Sequence, residues 1–392
     1  MNTALSPSTS PKVKRKISVR RPRAPSHLPP VTQESHDAAL RAIRQYLRGH
    51  TSYDSFPVSF RMIVLDAKLE VRKALQCVVS APLWNSEQSR FAGMFTVSDI
   101  IHLIQYYYKS STYEGAAADV ETLRLESLRA DIEKDLGVEP PPLLREHPSA
   151  TLFDTAKLLI QTHARRVPLL DNDTETGHEV IVSVLTQYRL LKFISINCPR
   201  DIAQLYMPLR KLKIGTYVSN WPPSADGGPN GNPFHPIATA SMSTPVFDVV
   251  HMFSERGISA VPIVDENGIV VNLYESVDVI TLVRLGAYQA LDLTISEALN
   301  QRSPDFPGVV ICTGSDSLAT LMQLIKKRRV HRLVVVEGDK GRLLGIITLS
   351  DVLRYIIGET EIGGVAEPLE EPAPSSTPTV IQGLEEAQGR ES

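Results

Sequence analysis

The chain has 392 residues, which allows two or three domains and a sizeable core. Its formal net charge is -3 and charged residues make up 22%, so no global imbalance points to nucleic acid or to a membrane surface. No apolar run approaches the length of a membrane span, and no secretory apolar segment follows the start. Cys77, Cys198 and Cys312 lie far apart and form neither a CxxC pair nor a metal spacing. That usage is expected of reduced thiols in the cytoplasm or nucleus.

Residues 1–34 are rich in Ser, Pro, Lys and Arg, with basic blocks at Lys12, Lys14, Arg15 and Lys16 and at Arg20, Arg21 and Arg23. So few apolar residues predict a disordered tail. The basic blocks read either as a solvated tail or as a nuclear-import or phosphate-binding patch. Over 35–50, Ser35 reads as an N-cap, Leu40, Ile43, Tyr46 and Leu47 share one helical face, and Gly49 ends the helix.

Four repeats follow, over 51–110, 143–197, 214–290 and 291–358. The first has an apolar run at 62–65, a helix over 69–76, a strand over 80–84, then Gly93-Met94-Phe95-Thr96-Val97-Ser98-Asp99 and an apolar helix over 100–107. The second has a helix over 152–162, a strand over 166–170, a second strand ending at Thr186-Gln187-Tyr188-Arg189, and a helix over 190–196. In the third, a helix over 246–255 and a strand over 260–264 precede a strand that ends at Glu275-Ser276-Val277-Asp278. The fourth has a helix over 317–327, strand Val330-His331-Arg332-Leu333-Val334-Val335-Val336, and Gly345-Ile346-Ile347-Thr348-Leu349-Ser350-Asp351 leading into a helix. The strands are β-branched and apolar, and glycines punctuate them. Each unit is a small sheet with helices on one face and cannot bury that face alone. The units are therefore expected to pair, first with second and third with fourth.

Three segments lie between or beyond the repeats. The linker 111–142 is expected to hold an amphipathic helix over 120–136, with Leu123, Leu125, Leu128, Ile132 and Leu136 as its apolar positions, for packing or for docking a partner. The linker 198–213 joins the two pairs. Residues 220–236 form a Pro/Gly/Asn-dense insertion, and 359–392 an acidic, Pro-rich, disordered tail.

S/T-x-x-D at a helix start is a common cap, and any single copy needs no further explanation. Asp99, Asp278 and Asp351 occupy the same place in three repeats, and a carboxylate there could accept both hydroxyls of a ribose. The second repeat has Arg189 instead. No Walker motif, GxGxxG, HExxH or GxSxG stands in its required context, so the chain is not expected to be an enzyme.

Strand-strand-helix units ending in h-h-T-x-S-D resemble CBS domains. Ser80-Ala-Pro-Leu-Trp84, the run Ser183 to Phe193, Val264-Asp-Glu-Asn-Gly268, Arg302-Ser303 with Phe306, and Val330 to Val336 are similar to the gamma subunits of the AMP-activated, sucrose-non-fermenting class of protein kinases, the fungal form above all. The resemblance covers about residues 36–358 and implies an α/β fold of four CBS repeats, paired into two Bateman modules that form a flat disc. It implies a non-catalytic subunit that binds AMP, ADP or ATP and joins a catalytic kinase subunit and a beta scaffold subunit, in cytoplasm and nucleus, with no nucleic-acid or membrane partner. It places phosphate contacts at His331, Arg332, Arg302 and Arg166, and sends Arg189 toward a neighbouring cleft's phosphate. Ribose and base contacts fall at Asp99, Asp278, Asp351, Thr216, Ile258 and Ser259, and a phosphate or ribose contact at Thr348, with Thr96, Glu275, Val310 and Ser350 completing the set.

The chain departs from the animal pattern at Val79, Arg165 and Tyr188, where that pattern has Arg, His and Lys. The shared phosphate cluster is therefore expected to have lost or changed charge. This leaves a second reading, a structural scaffold with largely vestigial clefts. The short first-repeat helix is expected to make that repeat the least stable, since about one turn of packing is missing.

Overall fold

The computed structural model describes residues 32–57, 59–77, 80–109, 123–137, 142–218, 236–284, 292–302, 308–337 and 341–359. Residues 1–31 and 360–392 of the two tails, the start of the linker helix and nearly all of the 220–236 insertion lie outside the described residues, while Thr32–Glu34, expected in the tail, open the first helix.

The repeats share one hairpin with one register. Ala81–Asn85 pairs antiparallel with Arg90–Phe95, Arg166–Asn172 with Glu179–Thr186, Ala260–Val264 with Val270–Glu275, and Arg332–Glu337 with Arg342–Thr348. The ladder shifts at the same point in each, after Leu83, Leu169, Ile263 and Val335. An extra residue there sharpens the local twist identically four times. A short parallel partner completes each sheet: Leu65–Asp66, Glu146, Ala240 and Ile311–Thr313. The central strand is covered on both faces, so Leu333 to Val336 form an unbroken buried run, whereas Arg342–Thr348 alternates.

Several local expectations change. The run at 62–65 narrows to Leu65–Asp66, because only these residues meet Leu83 and Trp84, and Ile63 and Val64 are exposed. The first helix spans Gln33–Arg48 and is capped by Thr32; Ser35 is instead its third residue, closing a capping box with Thr32. The linker helix is short and irregular: Leu125–Ser127 runs into a π-helical turn, Leu128–Glu133. Its inward face is as expected, with Leu125, Leu128 and Ile132 buried. The turn's i→i+5 bonding keeps Leu128 and Ile132 together on the core side.

Thr216–Tyr217, at the start of the third repeat, joins the fourth repeat's sheet, pairing antiparallel with Gly345–Ile346. Two glycines permit this approach. A Cβ on Gly345 would lie 2.7 Å from the Tyr217 ring and 2.8 Å from the Thr216 carbonyl. Gly215 has φ +99 and a Cβ there would meet the Ile346 carbonyl at 2.6 Å.

Each repeat uses both its faces. Sheets meet within the expected pairs: Ala260 and Leu273 of the third pack on Val334, Val336 and Leu343 of the fourth. Between first and second, the Phe91 amide donates to Glu179 at 3.0 Å. The helices, however, pack across the pairs. One core joins the second and fourth repeats, from Leu152, Leu159, Leu190 and Ile194 to Met322, Ile325, Val352 and Ile356. The other joins first and third, from Ile100 and Ile104 to Val249, Phe253 and Ile280. The first helix seals the second–fourth core: Arg44 donates to the Ile356 carbonyl at 2.7 Å, and His36 bonds the Tyr355 hydroxyl at 2.8 Å.

Gly345→Val is expected to cost about 1–3 kcal/mol by forcing Thr216–Tyr217 off the sheet. Urea denaturation of the full chain would measure it, and an unchanged midpoint would show that the strand yields freely.

Candidate functional site

In the second, third and fourth repeats the hairpin places its first central-strand residue opposite the cap of the following helix, and in the first Ala81 stands opposite Phe95, one residue before the cap Thr96. Arg166 stands opposite Thr186, Ala260 opposite Glu275, and Arg332 opposite Thr348. All four caps form. The Thr96 amide and hydroxyl bond Asp99, Thr186 Oγ1 accepts the Arg189 amide at 3.1 Å, and the Glu275 amide donates to Asp278 Oδ2 at 2.7 Å. Thr348 donates to Asp351 Oδ2 from its amide at 2.8 Å and its hydroxyl at 2.7 Å, and accepts the Asp351 amide at 3.3 Å.

Capping uses one carboxylate oxygen, and the repeats differ in the fate of the other. Asp351 Oδ1 has Arg354 Nη1 at 3.9 Å, beyond hydrogen-bond distance. This oxygen can still accept. Burial raises the Asp351 pKa, partly offset by the Thr348 bonds and by Arg354. Asp278 has neither oxygen free. Arg302 Nε donates to its Oδ1 at 2.8 Å and Nη2 to its Oδ2, while the same guanidinium reaches Asn272 Oδ1 at 3.2 Å and the Leu273 carbonyl at 2.8 Å. The pair is largely buried. Asp99 is buried.

The third-repeat residues form one bonded chain that continues into the fourth repeat. Arg332 forms an ion pair with Glu275 and donates to Ser259 Oγ at 3.0 Å. Ser259, Glu275, Asp278, Arg302 and Arg332, expected separately as ligands, are thus brought together and bonded to one another.

His331 takes a different direction from Arg332. Its ring lies 6.3 Å from that of Tyr188 in the second repeat. Here Arg165, Arg166 and Arg329 converge with it. Burial and then Arg329, Arg166 and Arg165 hold the imidazole below its usual pKa. Burial, Arg329 and Arg165 lower Arg166, and burial with Arg165 lowers Arg332 to about 9, so Arg332 stays protonated at neutral pH. Among the described residues, Arg165, Arg166, Arg329 and His331 pair with no carboxylate. The cluster expected to have lost or changed charge carries cations at Arg165, Arg166 and Arg329.

Helix Gln187–Asn197 carries the residues that join these parts. Gln187 is buried, donates from Nε2 to the Ala164 carbonyl at 2.8 Å and accepts from Ser350 Oγ at 2.9 Å. It thereby links the Arg165 segment to the Asp351 cap. The Tyr188 hydroxyl donates to the Arg328 carbonyl at 3.5 Å. Arg189, expected to reach a neighbouring phosphate, is held at home: Nη1 bonds Ser183 Oγ at 3.3 Å and the Val184 carbonyl at 3.1 Å, with the guanidinium 5.8 Å from the Phe60 ring. Thr216 is buried beside Ile346 of the fourth-repeat sheet, Val310 accepts the Val334 amide at 2.9 Å, and Ile258 packs into the first–third core.

Sequence reasoning passed over Arg329, Gln187 and Asn272 as site residues. A signal existed for the first: Arg165-Arg166 and Arg329-Val-His331-Arg332 both lead into a central strand and end on its first residue, and both occur in the repeats whose helices pack together.

A family model described as the CBS domain matches residues 233–284 and 305–358. The 5'-AMP-activated protein kinase subunit gamma of Saccharomyces cerevisiae is 44% identical over 324 residues, covering 81% of this chain and 94% of that protein. Its counterpart in Kluyveromyces lactis is 43% identical, over 81% and 92%. Human subunit gamma-3 is 32% identical over 80% of this chain and 60% of its own length. Among solved structures, the archaeal g-AMPK homolog from Methanocaldococcus jannaschii shares the fold, with a TM-score of 0.54 at 15% identity over 78% of this chain and 99% of that one.

The raised Asp351 pKa gives a pH signature. The native state keeps this proton longer than the unfolded chain, whose Asp titrates near about 4. The resulting stability is present below that value and lost as pH rises through the raised one. Asp351→Asn is therefore expected to melt progressively higher than the unaltered chain as pH rises from about 4 to 7. An offset independent of pH would contradict this.

Proposed function

The chain belongs to the gamma-subunit family of the AMP-activated protein kinases, and from that membership we propose that it is a non-catalytic regulatory subunit that binds adenine nucleotides. One observation carries the nucleotide reading: a cluster of cations that among the described residues meets no acid, linked through Gln187 to a carboxylate with one oxygen outside any hydrogen bond. In this reading the ribose hydroxyls donate to Asp351 Oδ1, and Thr348 and Ser350 flank them. The phosphates lie toward Arg165, Arg166 and His331. Closely spaced like charges held in place lower the cost of organising the site when an anion arrives.

AMP, ADP and ATP would compete for this cleft, and the kinase would respond to whichever is bound. Such a response requires that the nucleotide bind the inhibited and active states of the complex with different affinity. The partners in this reading are a catalytic kinase subunit and a beta scaffold subunit; its support is that the relatives are named as gamma subunits of a protein kinase, a name that implies further subunits.

The scaffold reading draws on two other clefts. Arg189 fills the acid's place in the second repeat, and Arg302 occupies both oxygens of Asp278 in the third. These favour few working clefts, and the fourth-repeat cleft remains the one to test.

Calorimetry with AMP, ADP and ATP on the purified full chain is expected to show binding that Asp351→Ala and His331→Ala each weaken about tenfold or more, the loss of a hydrogen bond to a charged group. Unchanged affinity in both variants would place the nucleotide elsewhere, and no binding at millimolar nucleotide would leave the scaffold. Purifying the tagged full chain is expected to bring a kinase catalytic subunit with it, and its absence would count against the assembly.

A further inference from the structure

His36 is the polar member of an otherwise apolar stripe. With Leu40, Ile43 and Leu47 it forms the face of helix Gln33–Arg48 that closes the second–fourth core, and it is fully buried. Buried polar groups are ordinarily hydrogen-bonded, and this ring is satisfied at one nitrogen only. Nε2 bonds the Tyr355 hydroxyl at 2.8 Å, while Nδ1 is buried with no hydrogen-bond partner among the described residues. A neutral ring tolerates this: with the proton on Nε2, Nδ1 is a bare acceptor. An imidazolium does not. It would carry a hydrogen on Nδ1 that nothing accepts, and a charge inside an apolar seam.

Little near the ring offsets such a charge. Asp37 on the same helix favours it, but burial outweighs Asp37 and holds the imidazole below its usual pKa. Tyr355 faces it from the last helix, Leu349–Ile357, which also carries Asp351 and Arg354. The other elements packed against the first helix bring Asp154 and Lys157 on Leu152–Gln161 and Arg200 and Asp201 on Pro199–Ile202, and none of these reaches Nδ1. About two turns along the first helix, Arg44 donates to the Ile356 and Tyr355 carbonyls at 2.7 and 3.4 Å. Its guanidinium lies so close to Gly358 that a Cβ there would stand 2.8 Å away. The first helix is therefore bonded to the last by a permanent cation at Arg44 and a titratable ring at His36.

We propose that His36 is a pH-sensitive latch: in mild acid its ring takes up a proton that the closed seam cannot accommodate, and the first helix releases from the last while the four repeats stay folded. Release bares Leu40, Ile43 and Leu47 and unfastens the end of the helix whose start carries Asp351. The released ring titrates near about 6.5 and the buried one lower, so the released state binds the proton more tightly. The latch is at full strength above about 6.5 and weakens as pH falls toward the lowered value. This inference stands apart from the nucleotide reading, and its test needs no ligand.

Hydrogen exchange on the full chain tests it, read by mass spectrometry from about pH 7.5 to about pH 5.5 and corrected for the intrinsic rate. Protection of residues 36–48 is expected to fall up to about tenfold over that range, the ratio for one group that titrates near 6.5 in the released state and is kept neutral in the closed one. Amides of the core helix Leu318–Lys327 should change less than about twofold over the same range, since that helix carries no part of the latch. His36→Leu, which suits the stripe, and His36→Gln, which keeps a neutral donor for Tyr355, are each expected to hold protection of the first helix constant across the range. A fall of the same size in either variant would overturn the role of His36. So would an equal fall in both helices of the unaltered chain, or no fall at all.

Discussion

A three-stranded sheet with helices on one side has two apolar faces, and each of the four repeats must bury both. The chain does so with two different neighbours. Sheets face sheets within the sequential pairs, and helices face helices across them, second with fourth and first with third. Every repeat thus touches two others through different faces, and removal of any one would expose two apolar surfaces. Hydrophobic burial is non-directional. The direction comes from the hairpins, whose shared register and common irregularity point the helices of all four units alike.

The chemistry is a consequence of that cross-packing. Basic residues precede the central strand in the second and fourth repeats only; Val79 and Ser80 in the first and Ser259 and Ala260 in the third are uncharged. Had the helices packed within sequential pairs, Arg165 and Arg166 would not have met Arg329 and His331. Packing them together concentrates like charge, which disfavours the folded state. Nothing in the described structure offsets it with a carboxylate. The third repeat shows the other solution. There Arg302 and Arg332 are neutralised by Asp278 and Glu275, and the cations are spent on structure. One molecule thus contains a satisfied basic cleft and an unsatisfied one, and the contrast singles out the second as the place for an anion.

The caps illustrate how a structural and a functional role can share a residue. Asp351 Oδ2 takes the Thr348 amide and hydroxyl, which fixes the helix start, and Oδ1 is left over. The same cap in the third repeat leaves nothing, because Arg302 reaches both oxygens. A capping box in the sequence specifies the first interaction and is silent on the second.

Local rules determined much from sequence alone. Apolar β-branched runs marked the central strands, and turn residues and helix periodicity marked the units. Thr-x-x-Asp in the first and fourth repeats, and its variants in the other two, placed the helix starts, and the recurring units marked a repeat fold whose motifs resemble a known family. These succeed because strand alternation, helix periodicity and capping act over a few neighbouring residues. What the sequence left open was long-range. Thr216–Tyr217 reads as the start of one repeat and pairs into another, because Gly345 leaves room beside it. Arg189, which the resemblance sends toward a neighbouring cleft's phosphate, bonds Ser183 and the Val184 carbonyl. His331 and Arg332 are adjacent in sequence and turn to different repeats, since neighbouring residues of an extended chain point to opposite sides. Which cations meet, and which meet an acid, depends on which apolar faces close on each other, and that is decided only when all four repeats are packed.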